Sequence, residues 1–306
     1  MRRRIGTLLA GASGYVIAYA CAGFWQASAP TFTDEFAMVV TTTTANETFT
    51  IPTQNFGTFD ADIEWGDGAV SSVTAWNDAQ LQHTYATAGD HLIRVRGSFP
   101  NIYFNNAGDG LKVKSVENLG DVGWATLYKA FYGCSNMTSF TAGTTDTSAV
   151  TNMSQMFQVC SSLTSLDVSS FDTSAVTTMY ATFLNCSSLT SLDVSSFDTS
   201  AVTNMSAMFQ GCTSATDIIG PEAFDIEALN STTSLNNFMQ GVTLPTARYD
   251  ALLINWDAQD PFNSMSPNFG SSKYNAGGAA EAARANLTTA VGSGGDGWII
   301  MDGGAA

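Results

Sequence analysis

Positive charge is what this chain has least of: 11 Lys and Arg stand against 27 Asp and Glu, for a formal net charge of −16, and there are only two histidines. The bases are also unevenly placed. After Arg2, Arg3 and Arg4 the next are Arg94 and Arg96, and none falls between Lys129 and Arg248. Counterion release on a phosphate backbone needs clustered Lys and Arg, so nucleic acid is excluded as a partner, and so is a bare anionic membrane surface. Charge of either sign is sparse at 12% of residues, which leaves a surface rich in Ser, Thr, Asn and Gly. Such a surface suits a neutral glycan or a polar protein partner. A chain of 306 residues can bury a core without metals or disulfide staples, and no cofactor is implied.

The one long apolar run lies at the N-terminus. Arg2-Arg3-Arg4 precedes an apolar stretch from Ile5 to Phe24 and a small-residue Ala27-Ser28-Ala29 site, the layout of an export signal. Ala18-Tyr19-Ala20-Cys21 is a loose lipobox without the usual Leu. Cleavage near Ala29, or acylation of Cys21, would mark an exported envelope protein. Retention of the leader would mark a virion component docked through Arg2, Arg3, Arg4 and the apolar run.

An internal repeat of 26 residues dominates the middle of the chain. It is carried by Phe131, Phe157, Phe183 and Phe209, by Cys134, Cys160, Cys186 and Cys212, and by Met153, Met179 and Met205. Leu163-Thr164-Ser165-Leu166-Asp167-Val168 and its copy Leu189 to Val194 alternate apolar with polar, as a short leucine-rich-repeat strand does. Val176, Met179, Phe183 and Cys186 recur at helical spacing, with Asp172-Thr173-Ser174 ahead as N-cap. Stacked strand-plus-helix units would bury these ladders in one continuous core.

Upstream, Phe49-Thr50-Ile51 and His91 to Arg96 read as short strands broken by Gly and Asp turns. Downstream, Thr246 to Trp256 and Ala276 to Leu287 look helical, and Trp298-Ile299-Ile300 reads as a closing strand. The fold class expected is therefore mixed: a small β-sandwich, then a short α/β leucine-rich-repeat solenoid, then a C-terminal α/β cap. The expected divisions are a signal-like or anchoring segment (1–35), a sandwich (36–99), a solenoid (100–245) and a capping segment (246–306).

The text from Met156 to Met179 closely resembles the BspA-like leucine-rich-repeat surface proteins, and the tail with Tyr249, Trp256, Ala283-Arg284-Ala285-Asn286-Leu287 and Trp298 is similar to that family's C-terminal segment. Ile63-Glu64-Trp65-Gly66-Asp67-Gly68, followed by His83-Thr84-Tyr85 and Gly89, resembles the polycystic-kidney-disease (PKD) type of immunoglobulin-like domain. The resemblances imply display at an exterior surface and adhesion, with no catalytic residues to carry over.

Candidate chemistry is thin. His83 and His91 lack an accompanying Ser or Cys nucleophile motif. Asp67 reads either as a calcium ligand or as part of a tight Gly-Asp-Gly turn; the four repeat cysteines read either as metal or disulfide sites or as buried free thiols. Ser165, Asp167, Ser169, Ser191, Asp193 and Ser195 are expected to tile a concave binding face, or else to be a solvated strand face repeated by duplication. Among Trp65, Trp76, Trp124, Tyr132 and Tyr180, all able to stack on a sugar, Tyr180 stands out because it replaces the Ser found at Ser154 and Ser206. Two functions follow as expectations. One is a non-enzymatic, extracellular or cell-surface adhesion protein that contacts a protein or glycan, with no metal. The other is a bacteriophage virion protein, a capsid decoration or a head or tail fibre, projecting the repeats outward and meeting capsid or tail proteins through its N-terminal segment.

Overall fold

The computed structural model describes residues 34–306. What was expected of Arg2, Arg3, Arg4 and Cys21 falls outside them. Eleven strands are present among the described residues: β1 (Phe36–Thr42), β2 (Glu47–Thr50), β3 (Asp60–Glu64), β4 (Val70–Val73), β5 (Gln82–Tyr85), β6 (Gly89–Ser98), β7 (Val113–Asn118), β8 (Ser139–Thr141), β9 (Ser165–Asp167), β10 (Ser191–Asp193) and β11 (Asp217–Ile219). Two α-helices follow, α1 (Thr246–Asp257) and α2 (Ala279–Thr288). No helix among the described residues is long and apolar enough to cross a membrane.

The expected sandwich followed by an α/β solenoid is overturned by the sheet. One seven-stranded mixed sheet runs in the order β4-β3-β6-β1-β7-β8-β9, so strands from the upstream region and from the repeats share a single layer. The splice is β7. It pairs antiparallel with β1 on one side and parallel with β8 on the other. Gly120 makes the join possible: at φ +68 it lies so close to β1 that a Cβ would sit 2.2 Å from the Glu35 carbonyl carbon. β2 and β5 form a separate antiparallel pair, and β10 and β11 a separate parallel pair. Alternation explains the upstream strands: His91, Ile93 and Val95 of β6 face inward, as do Ala61 and Ile63 of β3.

The second half of each repeat is not helical. It is two consecutive tight turns, Leu127–Ala130 and Phe131–Cys134 in the first unit, closed by Ala130 N–H to Leu127 O (3.2 Å) and Cys134 N–H to Phe131 O (3.0 Å). The third residue of each turn has positive φ: Lys129 (+56°) and Gly133 (+83°), then Gln155 and Val159, Ala181 and Asn185, Ala207 and Gly211. A left-handed residue every four positions forbids an α-helix but is what type II turns demand. The helix-like spacing arises because the first and last residues of each four-residue turn point inward, burying Met179, Thr182, Phe183 and Cys186.

Alternate N–H groups in these turns leave the unit altogether. Phe131, Phe157 and Phe183 donate to Met156, Thr182 and Met208 carbonyls of the next unit at 2.8, 2.8 and 2.9 Å. Above this ladder the phenylalanine rings stack, with centroids 5.9 Å apart for Phe131 and Phe157, 5.7 Å for Phe157 and Phe183, and 5.6 Å for Phe183 and Phe209. The column continues through Phe238 to Trp256 of α1, 5.7 Å away. Arg248 of α1 pairs with Asp217 of β11 and with Glu222, fixing the C-terminal helices to the last repeat. The expected closing strand at Trp298 to Ile300 is instead an extended run: Ile299 N–H donates to Met265 O at 2.9 Å, and a single bridge joins Met301 to Asn268.

Replacing Ala207 by Gly tests the turn assignment by its sign. In a helix the change would cost about 1 kcal/mol; at φ +56° it relieves the left-handed penalty and is expected to stabilise by about 0.5–1 kcal/mol in urea denaturation. A destabilised variant would refute the turn geometry.

Candidate functional site

Ser165 and Asp167 of β9 and Ser191 and Asp193 of β10 are exposed, flanking the inward Leu166 and Leu192. β9 lies in register with β8, Ser139 opposite Ser165 and Thr141 opposite Asp167. β10 pairs with β11 instead, placing Ser191 beside Asp217 and Asp193 beside Ile219. The polar row is thus carried by two separate sheets. Ser169 and Ser195 stand beyond the strands, where they close turns. Asp167 Oδ1 accepts from the Ser169 N–H and hydroxyl at 3.1 and 2.7 Å, and Asp193 Oδ1 accepts from the Ser195 N–H at 2.9 Å. Each aspartate commits one oxygen to its own turn and is itself exposed.

A second aspartate column stands at the next corner. Asp146, Asp172 and Asp198 accept from the N–H and hydroxyl of Ser148, Ser174 and Ser200, the hydroxyl distances all being 2.6 Å. Asp172-Thr173-Ser174 therefore caps a turn, not a helix. Thr173 between them is buried and bridges units, its hydroxyl donating to Asp198 O at 2.9 Å while the Asp198 N–H returns to Thr173 Oγ1 at 2.8 Å. The serine hydroxyl and N–H hold the Asp172 carboxyl below its usual value, against desolvation and the like charges of Asp146 and Asp198.

Tyr180 is half-exposed, but it stands on the turn ladder and not on the strand row: its carbonyl accepts from Gln155 N–H at 2.8 Å. Of the other aromatic candidates, Trp65 and Trp124 are buried, Trp76 is exposed and Tyr132 is half-buried. The turn segments also hold residues that repeat reading passed over. Tyr128 heads the column of Ser154 and Tyr180, Lys129 follows it, and Tyr103 precedes them. The 26-residue register that sets Tyr128 over Ser154, Tyr180 and Ser206 was the signal available for Tyr128. Tyr103 lies outside the repeat and gave none.

Upstream, Asp67 accepts from Ala69 N–H at 3.0 Å through one oxygen and meets His83 Nε2 at 2.7 Å through the other. Burial opposes ionisation of Asp67, yet these hydrogen bonds outweigh it and hold the carboxyl below its usual value. Gly66 and Gly68 take φ +84° and +93° in this turn. His83 stacks on Trp65, with centroids 5.1 Å apart, and Tyr85 donates its hydroxyl to Trp65 O at 2.9 Å. Among the described residues no group of three or more His, Cys, Asp or Glu is arranged to hold a metal ion. A depression between β1, β2 and β7 contains Glu47, Lys112 and Lys114, but its lysines are already paired, Lys112 with Asp109 (2.7 Å) and Glu47 (3.1 Å), Lys114 with Asp90.

The four cysteines among the described residues are free and buried. Cys160, Cys186 and Cys212 donate Sγ–H to the Phe131, Phe157 and Phe183 carbonyls at 3.1, 3.2 and 3.2 Å. Burial pushes the thiols up, Cys212 to about 12 and Cys134, Cys160 and Cys186 well above the usual thiol range, so the reactive thiolate is absent at neutral pH.

In a Cys21→Ser background, iodoacetamide at about pH 8 is expected to leave native protein unmodified by mass spectrometry and to modify all four cysteines after denaturation; rapid native labelling would contradict the buried ladder. The depressed Asp146, Asp172, Asp193 and Asp198 carboxyls contribute stability that is present above the unfolded aspartate value and lost as pH falls through their lower folded values. The melting temperature should accordingly fall as pH is taken below about 4, and S148A/S174A/S200A should flatten that acid limb. An unchanged limb in the triple variant would remove the serine contacts as its cause.

The comparisons fit the repeat region. No curated protein and no solved structure matches the chain. The family model described as "Mycoplasma protein of unknown function, DUF285" matches residues 125–251, spanning the stacked turns and the first half of the helix after them; that family is related to BspA-like surface proteins, in keeping with the likeness read from the repeat text.

Proposed function

We propose that this chain is a non-enzymatic binding or adhesion module displayed at an extracellular or cell-surface location, contacting a partner protein or glycan through the Ser/Asp row of its repeats. The observation that carries the reading is the way Asp167 and Asp193 are held: one oxygen of each is fixed by its turn, and both residues are exposed beside the exposed Ser165 and Ser191. Preset acceptors and hydroxyls lose little conformational entropy on meeting sugar hydroxyls or the donors of a protein. The chemistry that an enzyme would need is engaged elsewhere in structural roles, the thiols donating to carbonyls and His83 held by Asp67. The resemblance to surface proteins supports the location. The likeness of the upstream region to PKD-type domains is part of the proposal too, supported by the Trp65, Asp67, His83 and Tyr85 cluster around the Gly-Asp-Gly turn.

The test is binding of the purified full chain to a glycan array and to immobilised extracellular-matrix proteins, compared with Ser165→Arg/Ser191→Arg, which crowds the row without touching the core. A ligand bound at least about tenfold more weakly by the variant is expected. Wild-type binding that the variant retains in full, or no binding by either protein, would overturn the reading.

A further inference from the structure

Four side chains gather where the segment before the first repeat meets it. The Tyr103 and Tyr128 rings lie 5.9 Å apart at 36°, and Lys129 Nζ stands 5.1 Å from the Tyr128 centroid and 5.9 Å from that of Tyr132. All four residues are half-buried. Their backbone is fixed from both sides: Lys129 N–H donates to Ser154 O at 3.0 Å, and Asn106 N–H donates to Tyr132 O at 2.6 Å.

Lys129, like Lys273, carries its charge without a carboxylate partner among the described residues. In a chain with 27 acids and 11 bases, Lys112 and Lys114 have carboxylate partners, whereas none of the described carboxylates pairs with Lys129. The surrounding surface is also distinct. The turn segments 127–134, 153–160, 179–186 and 205–212 contain no Asp or Glu, and Gln155 and Gln158, hydrogen-bonded to each other, occupy the unit next to Lys129. The anionic columns therefore lie on the other segments of the repeat, while this one offers a cation, tyrosine faces and amides.

We propose that this cluster binds an acidic saccharide: a sugar residue bearing one carboxylate, which pairs with Lys129 while the apolar face of the ring stacks on Tyr128 or Tyr132. A half-exposed ammonium beside tyrosines keeps its charge and, beyond its hydrogen bond with Tyr128, has N–H donors left for an incoming anion. Tyrosine faces accept the axial C–H groups of a pyranose, and the Gln155 and Gln158 amides and tyrosine hydroxyls match its hydroxyls. An isolated carboxylate fits better than a polyanion. The net charge of −16 repels a long acidic chain, whereas acids more than about 8 Å away are largely screened at physiological salt. This site is separate from the Ser/Asp row and stands whether or not that row binds.

The experiment is titration of the full-length protein with 3′-sialyllactose, with a glucuronyl disaccharide and with neutral lactose, read by calorimetry and by saturation-transfer NMR at physiological salt. At least one of the acidic sugars is expected to bind about tenfold more tightly than lactose, and comparing them tells a sialic from a uronic ligand. Lys129→Gln should abolish the preference, and Tyr128→Ala should weaken acidic and neutral sugars together, while Tyr128→Phe retains stacking. Lys129→Gln removes no core atom and decides the matter alone if Tyr128→Ala does not fold. No saturation transfer from either acidic sugar, or a preference that survives Lys129→Gln, would overturn the proposal.

Discussion

The backbone N–H groups of the repeat turns divide their bonds between two directions, and the rest of the structure depends on that division. One N–H closes a turn within its own unit; the next reaches a carbonyl of the following unit, as Phe157 does to Thr182 and Phe183 to Met208. Every turn is thereby satisfied only when its neighbour is present. The left-handed residues at Gln155, Ala181 and Ala207 are tolerated because both of their flanking peptides are committed in this way.

The side-chain columns complete the same accounting. A phenylalanine carbonyl such as that of Phe157 closes a turn with Cys160 and also accepts the Cys186 thiol, so cysteine serves as a small apolar residue with one weak donor directed at a buried acceptor. Threonine does comparable work at the opposite corner, where Thr147 and Thr173 stand in for a backbone rung between units. These roles explain why identical residues recur at identical places without a metal or a disulfide to require them. They also hold most of the repeat surface rigid, so its exposed carboxylates and rings are presented in fixed positions.

Much of this was legible in the sequence. The Phe and Cys columns announced a stacked core, and the Leu-x-x-Leu-x-Val runs marked strands that do form, though at three residues each they are shorter than the text implies. α1 and α2 fall where periodicity placed them. The helical reading of the repeat failed because a run of four-residue turns buries its ends at nearly the helix period. Only the backbone sign at Ala181 and Asn185 separates the two, and neither Ala nor Val159 advertises a left-handed conformation. The single sheet was hidden for another reason: nothing in β1 or β7 specifies that one flank pairs antiparallel and the other parallel. Of the candidate site, the strand residues Ser165, Asp167, Ser191 and Asp193 are exposed. Tyr180 proved to belong to another column, and Tyr103 joined Tyr128 and Lys129 only through tertiary contact.

The division of backbone bonds between units has a consequence for how such a chain varies over generations. Residues 157–182 and 183–208 present almost the same donors, acceptors and rings to the units on either side, so removing one copy, or inserting another, recreates the interface that was cut. Unequal recombination within the gene would therefore yield longer and shorter proteins whose junctions need no compensating substitutions, and reach could change in steps of one repeat while both ends stay as they are.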